Sequence, residues 1–374
     1  MLPYGRHSID ESDVEAVAAV LRGDWLTTGP AVAAFEAAVS EQSGGHPAVS
    51  CTSGSAALHI AYAALGVGPG DQVVTTPLTF VATASSASLL GADVVFADID
   101  DDTGLLDPAA AEAAVTDRTR VIAAVDYAGQ PCEYDRLQPL AQRVGAVTLA
   151  DAAHSIGGSY QGRPVGDLAD VTTFSFFPTK NVTTTEGGAV VARDPDLIAR
   201  AASFHDVGLV RDRHLLRYPD EGPWHREVHR FGLNYRLPDV ACALGLSQLR
   251  RLARFRQRRQ EIFDRYTDSL SGVDGLRTPT VRSDVDPIWH LYPLRVLGGR
   301  RREVFERMRG AGIGVQVNYL PVYWHPVYED LGYRRGTCPV AERFYSQEIS
   351  LPMFPDLTDD RVDRIIDTVV EIIG

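Results

Sequence analysis

Between about residues 45 and 190, short apolar and β-branched runs alternate with Ala- and Leu-rich stretches at helical spacing. That cadence predicts a mostly parallel sheet covered by helices. The predicted strands are QVVTTP (72–77), DVVFADID (93–100), RVIAAVDYAG (120–129), AVTLAD (146–151), VTTFSFF (171–177) and GGAVVAR (187–193). Near-continuous apolar runs of this kind suit strands buried on both faces, and in such sheets ligands gather at the carboxyl ends of the strands. Upstream, DESDVEAVAAVLR (10–22) opens with acidic residues and keeps helical spacing, and the turn-like WLTTGP follows at 25–30. Residues 205–235 show no period and are too long for an ordinary connector, which marks a functional or disordered segment. From Asp239 to Leu270 the pattern predicts a long, kinked amphipathic helix whose arginines form a solvated face. Beyond it, WHLYPLRVL (289–297), RREVFERMRGAG (301–312), VQVNYLP (315–321) and DDRVDRIIDTVVEII (359–373) alternate strand and helix signals. The expected organisation is a large domain over 1–245 and a smaller α/β domain over 246–374.

Composition narrows the function without choosing it. The chain has 374 residues, 45% of them hydrophobic, enough for a sizeable core. A net charge of -13 with no long basic run argues against nucleic acid as a partner, although local amides and arginines can still hold a small anion. Cys51, Cys132, Cys242 and Cys338 are too scattered for a zinc motif or a disulfide framework and read as small thiols in a reducing compartment. No segment approaches the roughly twenty apolar residues of a membrane span, so a cytoplasmic protein is expected.

The chemistry-bearing residues fall where the predicted sheet puts ligands. Asp151 directly follows VTLA, and Lys180 follows TTFSFF after a short turn. A lysine amine can condense with the aldehyde of pyridoxal 5'-phosphate, while a carboxylate facing the pyridine nitrogen keeps that ring an electron sink. Alone, the lysine would be a surface residue and the aspartate a turn or cap. Ser53, Gly54 and Ser55 precede an Ala/Leu-periodic helix, whose free amides suit a phosphate; a plain N-cap is the ordinary alternative. Ser175 could add a hydroxyl to that phosphate. Phe80 could stack on the ring and His154 could steady it, against the ordinary roles of core packing and a hydrogen-bonded structural histidine.

With these residues the chain resembles the DegT family of sugar aminotransferases along its whole length. The matching stretches include PYGRHSID, WLTTGP, SGSAALH, GDQVVTTPLTFVATA, YAGQPC, DAAHSIGG, FSFFPTKN with EGG, GLNYRLPDVACALGLSQL, GIGVQVNYLPVY and SLPMFPDLTDD. The resemblance implies the fold-type I pyridoxal phosphate architecture and, within the family, the pseudaminic-acid-type C4 aminotransferases that act on UDP-linked 4-keto-6-deoxy sugars. It implies that Lys180 carries the cofactor and shuttles the proton and that Asp151 pairs with the pyridinium. It further implies that Gly54, Ser55 and Ser175 hold the phosphate, that Phe80 stacks, and that Asn234 reaches the phosphate of a neighbouring subunit in a homodimer. L-Glutamate would be the donor and a nucleotide-linked keto sugar the acceptor. Thr28 and Gly29, beside Trp25, Leu26 and Thr27, together with Arg236, Tyr319 and His325, are candidates for the substrate, each equally able to be structural. Two positions depart from the pseudaminic-type pattern: Phe177 stands where FSFHP has histidine, and Asn318 precedes Tyr319 where the family has HY. Three alternatives remain: a keto-cyclitol acceptor, a sugar dehydratase, whose branch replaces the lysine by histidine, and a non-catalytic descendant.

Overall fold

The computed structural model describes all 374 residues. In chain order, α1 (Glu11–Arg22) and α2 (Pro30–Gln42) precede an alternation of β1 (Ala48–Cys51), α3 (Gly54–Ala64), β2 (Gln72–Thr75), α4 (Ala82–Leu89), β3 (Asp93–Phe96), α5 (Pro108–Ala114), β4 (Thr119–Val125), α6 (Tyr134–Arg143) and β5 (Val147–Asp151). A small hairpin of β6 (Ser159–Tyr160) and β7 (Arg163–Pro164) follows, then β8 (Val171–Ser175), β9 (Gly188–Ala192) and α7 (Pro195–His205). The main sheet has seven strands in the order β1-β9-β8-β5-β4-β2-β3. Only β9 runs against the others, pairing antiparallel with β1 and β8. Every residue of β2 and β9 is buried, as the apolar runs require of strands covered on both faces.

All six predicted strands form, and Ala48–Cys51 adds a seventh that its short, mixed run had concealed. All but β5 end before the predicted limit, β3 at Phe96 and β4 at Val125 by four residues each, and two of these ends shape the site. β4 stops at Val125, because Tyr127–Gly129 turns through a 3-10 segment with Ala128 at φ +60°. β8 stops at Ser175, releasing Phe176 and Phe177 into the loop that carries Lys180.

The predicted long helix is two: α8 (Asp239–Arg250) and α9 (Leu252–Leu270), broken at Arg251. The solvated arginine face holds only in part. Arg251 is drawn inward to Asp10, Asp13 and the carbonyl of Ser8, tying the joint to the start of α1. Arg259 is 1% exposed and donates to the carbonyls of Trp289 and Met353, 3.2 Å each.

The C-terminal portion is a three-stranded antiparallel sheet of Leu276–Arg277, Tyr292–Val296 and Glu348–Leu351, with Arg301–Gly310 packed on it and Asp359–Ile373 packed on that helix and on α9. VQVNYLP (315–321), expected to carry a strand signal, joins this sheet by one bridge, Gln316 to Ser350. The backbone N–H of Asn318 goes instead to the Glu348 side chain (2.7 Å), which removes it from any ladder. The first residues of the chain dock here too: Leu2 bridges to Ile313, which leaves Tyr4 between the two portions. One apolar cluster of 90 residues runs continuously through both portions. No helix is long and apolar enough to cross a membrane.

Candidate active site

A cavity of about 630 Å³ lies where the carboxyl ends of the parallel strands meet the C-terminal portion. Val125 ends β4, Asp151 ends β5, Ser175 ends β8, and the loops after β1 and β2 deliver Ser53–Ser55 and Thr79–Phe80. Gln316, Val317, Asn318, Tyr319, His290 and Tyr4 close the opposite side. The order of the strands thus gathers residues that are more than 300 positions apart in the chain.

Lys180 follows the tight turn Phe177–Lys180, in which its N–H donates to the Phe177 carbonyl (2.9 Å). The next residue locks this loop, since Asn181 Nδ2 donates to the His154 carbonyl (2.7 Å). The surrounding protein disfavours a charged amine, so desolvation lowers the Lys180 pKa from 10.5 to about 8, against the pull of the Asp151 carboxylate. Lys180 is also the only lysine in the chain: of 36 basic residues the other 35 are arginines. A simple count would have exposed that before any motif was sought.

Asp151 is 6% exposed. Burial raises its pKa, opposed by a hydrogen bond from Thr83 Oγ1 (2.6 Å), the charge of Lys180 and the Ala153 N–H (3.3 Å). A buried carboxylate in this state gains from any cation set against it. Ser53 is the N-cap of α3, its Oγ accepting from Ala56 N (3.0 Å), so the cap reading and the cradle reading hold together. A Cβ on Gly54 would lie 2.7 Å from Ser175 Cβ and 2.9 Å from Ser175 Oγ. The space beside the free amides at this helix start is therefore open only because residue 54 is glycine. His154 Nε2 meets the Tyr319 hydroxyl at 3.1 Å, and its ring packs on His290 with centroids 4.4 Å apart. Burial, and then the charge of Lys180, holds His154 well below its ordinary pKa, and both imidazoles have a buried, unpartnered Nδ1. Phe80 is 57% exposed and opens onto the cavity, as does Phe177.

Of the sequence-derived candidates, Lys180, Asp151, His154, Ser53, Gly54, Ser55, Phe80, Ser175 and Tyr319 come together around the cavity. Thr28, Gly29, Asn234, Arg236 and His325 do not line it. The Gly29 N–H donates to Asp239 (2.7 Å), which fixes the WLTTGP turn at the start of α2. Arg236 shares Asp206 with Arg211. His325 precedes the short helix Pro326–Asp330, and Asn234 is exposed on the 205–235 segment. Tyr4, Thr83, His290, Glu186 and Gln316 were not anticipated. Thr83 lies within the TFVATA run and His290 within WHLY, but nothing local to either shows which way it faces.

These residues fit pyridoxal phosphate: an amine held near neutrality, a buried carboxylate short of a cation, and a helix start kept open by a glycine. The sequence model of the DegT/DnrJ/EryC1/StrS aminotransferase family matches residues 7–370. A UDP-4-amino-4,6-dideoxy-N-acetyl-beta-L-altrosamine transaminase of Campylobacter jejuni is 36% identical, covering 100% of this chain and 98% of its own. Helicobacter pylori PseC, an aminotransferase involved in the biosynthesis of pseudoaminic acid, superposes with a TM-score of 0.92 at 31% identity, covering 99% of this chain and 98% of that one. Spr1654 of Streptococcus pneumoniae in its PLP-form superposes with a TM-score of 0.93 at 30% identity, covering 100% and 98%.

Proposed function

We propose, from the premise that this chain belongs to the DegT/DnrJ/EryC1/StrS aminotransferase family, that it transfers the amino group of L-glutamate to the 4-keto group of a nucleotide-linked 6-deoxy sugar, most simply UDP-linked, in two alternating half-reactions. The observation that carries this reading is Lys180: the only side-chain amine in the molecule lines the cavity with Asp151 and has a pKa near 8. Bound pyridoxal phosphate supplies the carbonyl that takes the amine and the electron sink that makes an adjacent carbon acidic.

The protein's own contribution is positional and protonic. Asp151 would face the ring nitrogen, Gly54, Ser55 and Ser175 the phosphate, Phe80 a ring face, and His154, steadied by Tyr319, the opposite edge. With a pKa close to operating pH, Lys180 Nζ exists in both protonation states. It can therefore take a proton from Cα of the amino donor and return one to the sugar carbon that receives nitrogen. Closing the cavity between the sheet edge and the 316–319 wall limits water around that amine.

The reading includes a homodimer. Within one chain no arginine lines the cavity, so an anionic donor and a diphosphate would be neutralised largely from outside it. The 205–235 segment projects Trp224 and Phe231, 77% and 97% exposed, and carries Asn234 together with the scattered arginines Arg211, Arg213, Arg217, Arg226 and Arg230. Docked on a second copy, it would bring Asn234 to the partner's phosphate. The large unit 1–245 then supplies most cofactor contacts and the smaller unit 246–374 the substrate wall. The test is to incubate the enzyme with glutamate and UDP- and dTDP-linked 3-keto and 4-keto sugars and a keto-cyclitol, detecting aminated product by mass. Turnover of the free cyclitol alone would reject the nucleotide-sugar reading.

A further inference from the structure

The wall formed by Tyr4 and Asn318 has a hydrogen-bond polarity set from behind by the ionised form of Glu348. Glu348 is 0% exposed, and burial raises its pKa to about 8 against the hydrogen bonds it receives; in its ionised form it accepts from the Asn318 backbone N–H (2.7 Å) at one oxygen and from Ser350 Oγ at the other. Because Ser350 Oγ spends its proton on Glu348, it accepts from Asn318 Nδ2 (3.0 Å). The second Nδ2 hydrogen goes to the Tyr4 hydroxyl (2.8 Å). Asn318 is held at its far end as well, its carbonyl accepting from the Tyr127 hydroxyl (2.6 Å).

Two groups remain unspent on the cavity side. Tyr4 already accepts from Asn318, so its own O–H is free to donate into the cavity that it lines. Burial raises the Tyr4 pKa, which keeps that proton in place. Both Asn318 Nδ2 hydrogens are used, so its Oδ1 is left as an acceptor on the same wall. A donor and an acceptor side by side match a substituent that both accepts and donates: a ring hydroxyl or an acylamino group. A carboxylate or a bare phosphate oxygen can satisfy only the tyrosine.

We propose that Tyr4 and Asn318 are a specificity pair that reads one hydroxyl or acylamino substituent of the acceptor ring, and that Glu348 is the positioning residue that sets the pair's polarity. This rests on the keto-sugar reading above. Replacing Glu348 with glutamine keeps its size but adds a donor. The relay then reverses: the new amide donates to Ser350, Ser350 donates to Asn318 Oδ1 after that amide turns, and Tyr4 spends its proton on Asn318.

The experiment uses the full-length, cofactor-loaded enzyme at pH 9, where Glu348 is ionised, with UDP-4-keto-6-deoxy-N-acetylglucosamine and its forms lacking the C2 acetamido or the C3 hydroxyl. Tyr4→Phe is expected to lower kcat/KM for the parent sugar about tenfold, the loss shrinking below about twofold for one of the two truncated sugars. Glu348→Gln exchanges donor and acceptor on the wall, so at an unchanged melting temperature it is expected to give a similar loss if the group read is the acetamido, whose N–H and C=O are fixed in place, and less than about twofold if it is a hydroxyl, which rotates; Tyr4→Phe added to it is expected to cost less than about twofold further, since the Tyr4 proton is already turned away from the cavity. Equal losses from Tyr4→Phe on all three sugars, no loss from it on the parent, or additive effects of the two substitutions would overturn the proposal while leaving the sugar reading intact. If the unsubstituted enzyme aminates none of the three sugars while glutamate still changes the cofactor absorbance, the sugar reading fails and the pair's role fails with it.

Discussion

The amine of Lys180 should be costly to the protein when no cofactor is attached, and the cost should depend on pH. Its pKa falls from 10.5 to about 8. At about 1.4 kcal/mol per pKa unit this corresponds to about 3 kcal/mol, an upper figure because the side chain keeps partial access to the cavity. The sign follows from proton counting. Between pH 8 and 10.5 the unfolded chain binds the proton that the folded chain has released, so the Lys180 contribution to stability rises with pH across that window and is fully unfavourable below it. In urea unfolding of cofactor-free protein, Lys180→Met is expected to be more stable than the parent below pH 8 by up to about 3 kcal/mol, with the gap closing by pH 10.5. The difference between the two proteins is the quantity to follow. Buried thiols such as Cys51 and Cys242, pushed up to about 12, make both proteins lose stability in alkali. A direct measurement is also open: protein grown with Cε-13C lysine gives one lysine resonance, because there is one lysine. Its midpoint is expected near 8, and lower in Asp151→Asn, which removes the one charge that favours the ammonium. A midpoint near 10.5, or one indifferent to Asp151→Asn, would refute the reasoning.

Other consequences follow from the same geometry. Gly54→Ala pushes a methyl against Ser175 and should weaken retention of pyridoxal phosphate at least tenfold by absorbance titration; wild-type retention would mean that the cradle lies elsewhere. Thr83→Val removes a 2.6 Å hydrogen bond to buried Asp151 and should destabilise the protein by about 1–3 kcal/mol, with Thr83→Ser recovering most of it; equal losses would deny the hydroxyl a role. Asp126 is 0% exposed and burial raises its pKa to about 7, so its contribution is complete near pH 4 and is lost as pH rises through 7. Asp126→Asn should flatten urea stability between those limits, and an unchanged slope would exclude Asp126 as its source. Phe231→Asp, at a 97% exposed position, should shift sedimentation toward monomer if the 205–235 segment joins two copies.

How much was legible in the chain follows from how far each signal reaches. Strands β2 to β5 announced themselves because burial on both faces demands apolar runs, and Asp151 and Lys180 could be placed at strand ends because that position is a few residues of local sequence. The Ser53–Ser55 helix start is equally local. The break at Val125 and the place of the expected kink, at Arg251, were not readable, because a positive-φ Ala128 and an arginine drawn to Asp10 and Asp13 depend on partners far along the chain. Nor was the failure of 315–321 to pair as a strand, since a side chain from residue 348 captures its backbone.

The sequence by itself determined the α/β class and the family, and it brought the one lysine and a carboxylate to the strand ends, all of which is written in contiguous motifs or in their order. Only the tertiary structure decided what surrounds that amine. Desolvation, which brings Lys180 from 10.5 to about 8, is a sum over atoms from many elements. The cavity wall likewise joins Tyr4 to Asn318 across more than 300 residues through a relay ending at Glu348. Local chemistry names the reaction; the packing of distant segments sets the proton's energy and the shape that the acceptor must fit.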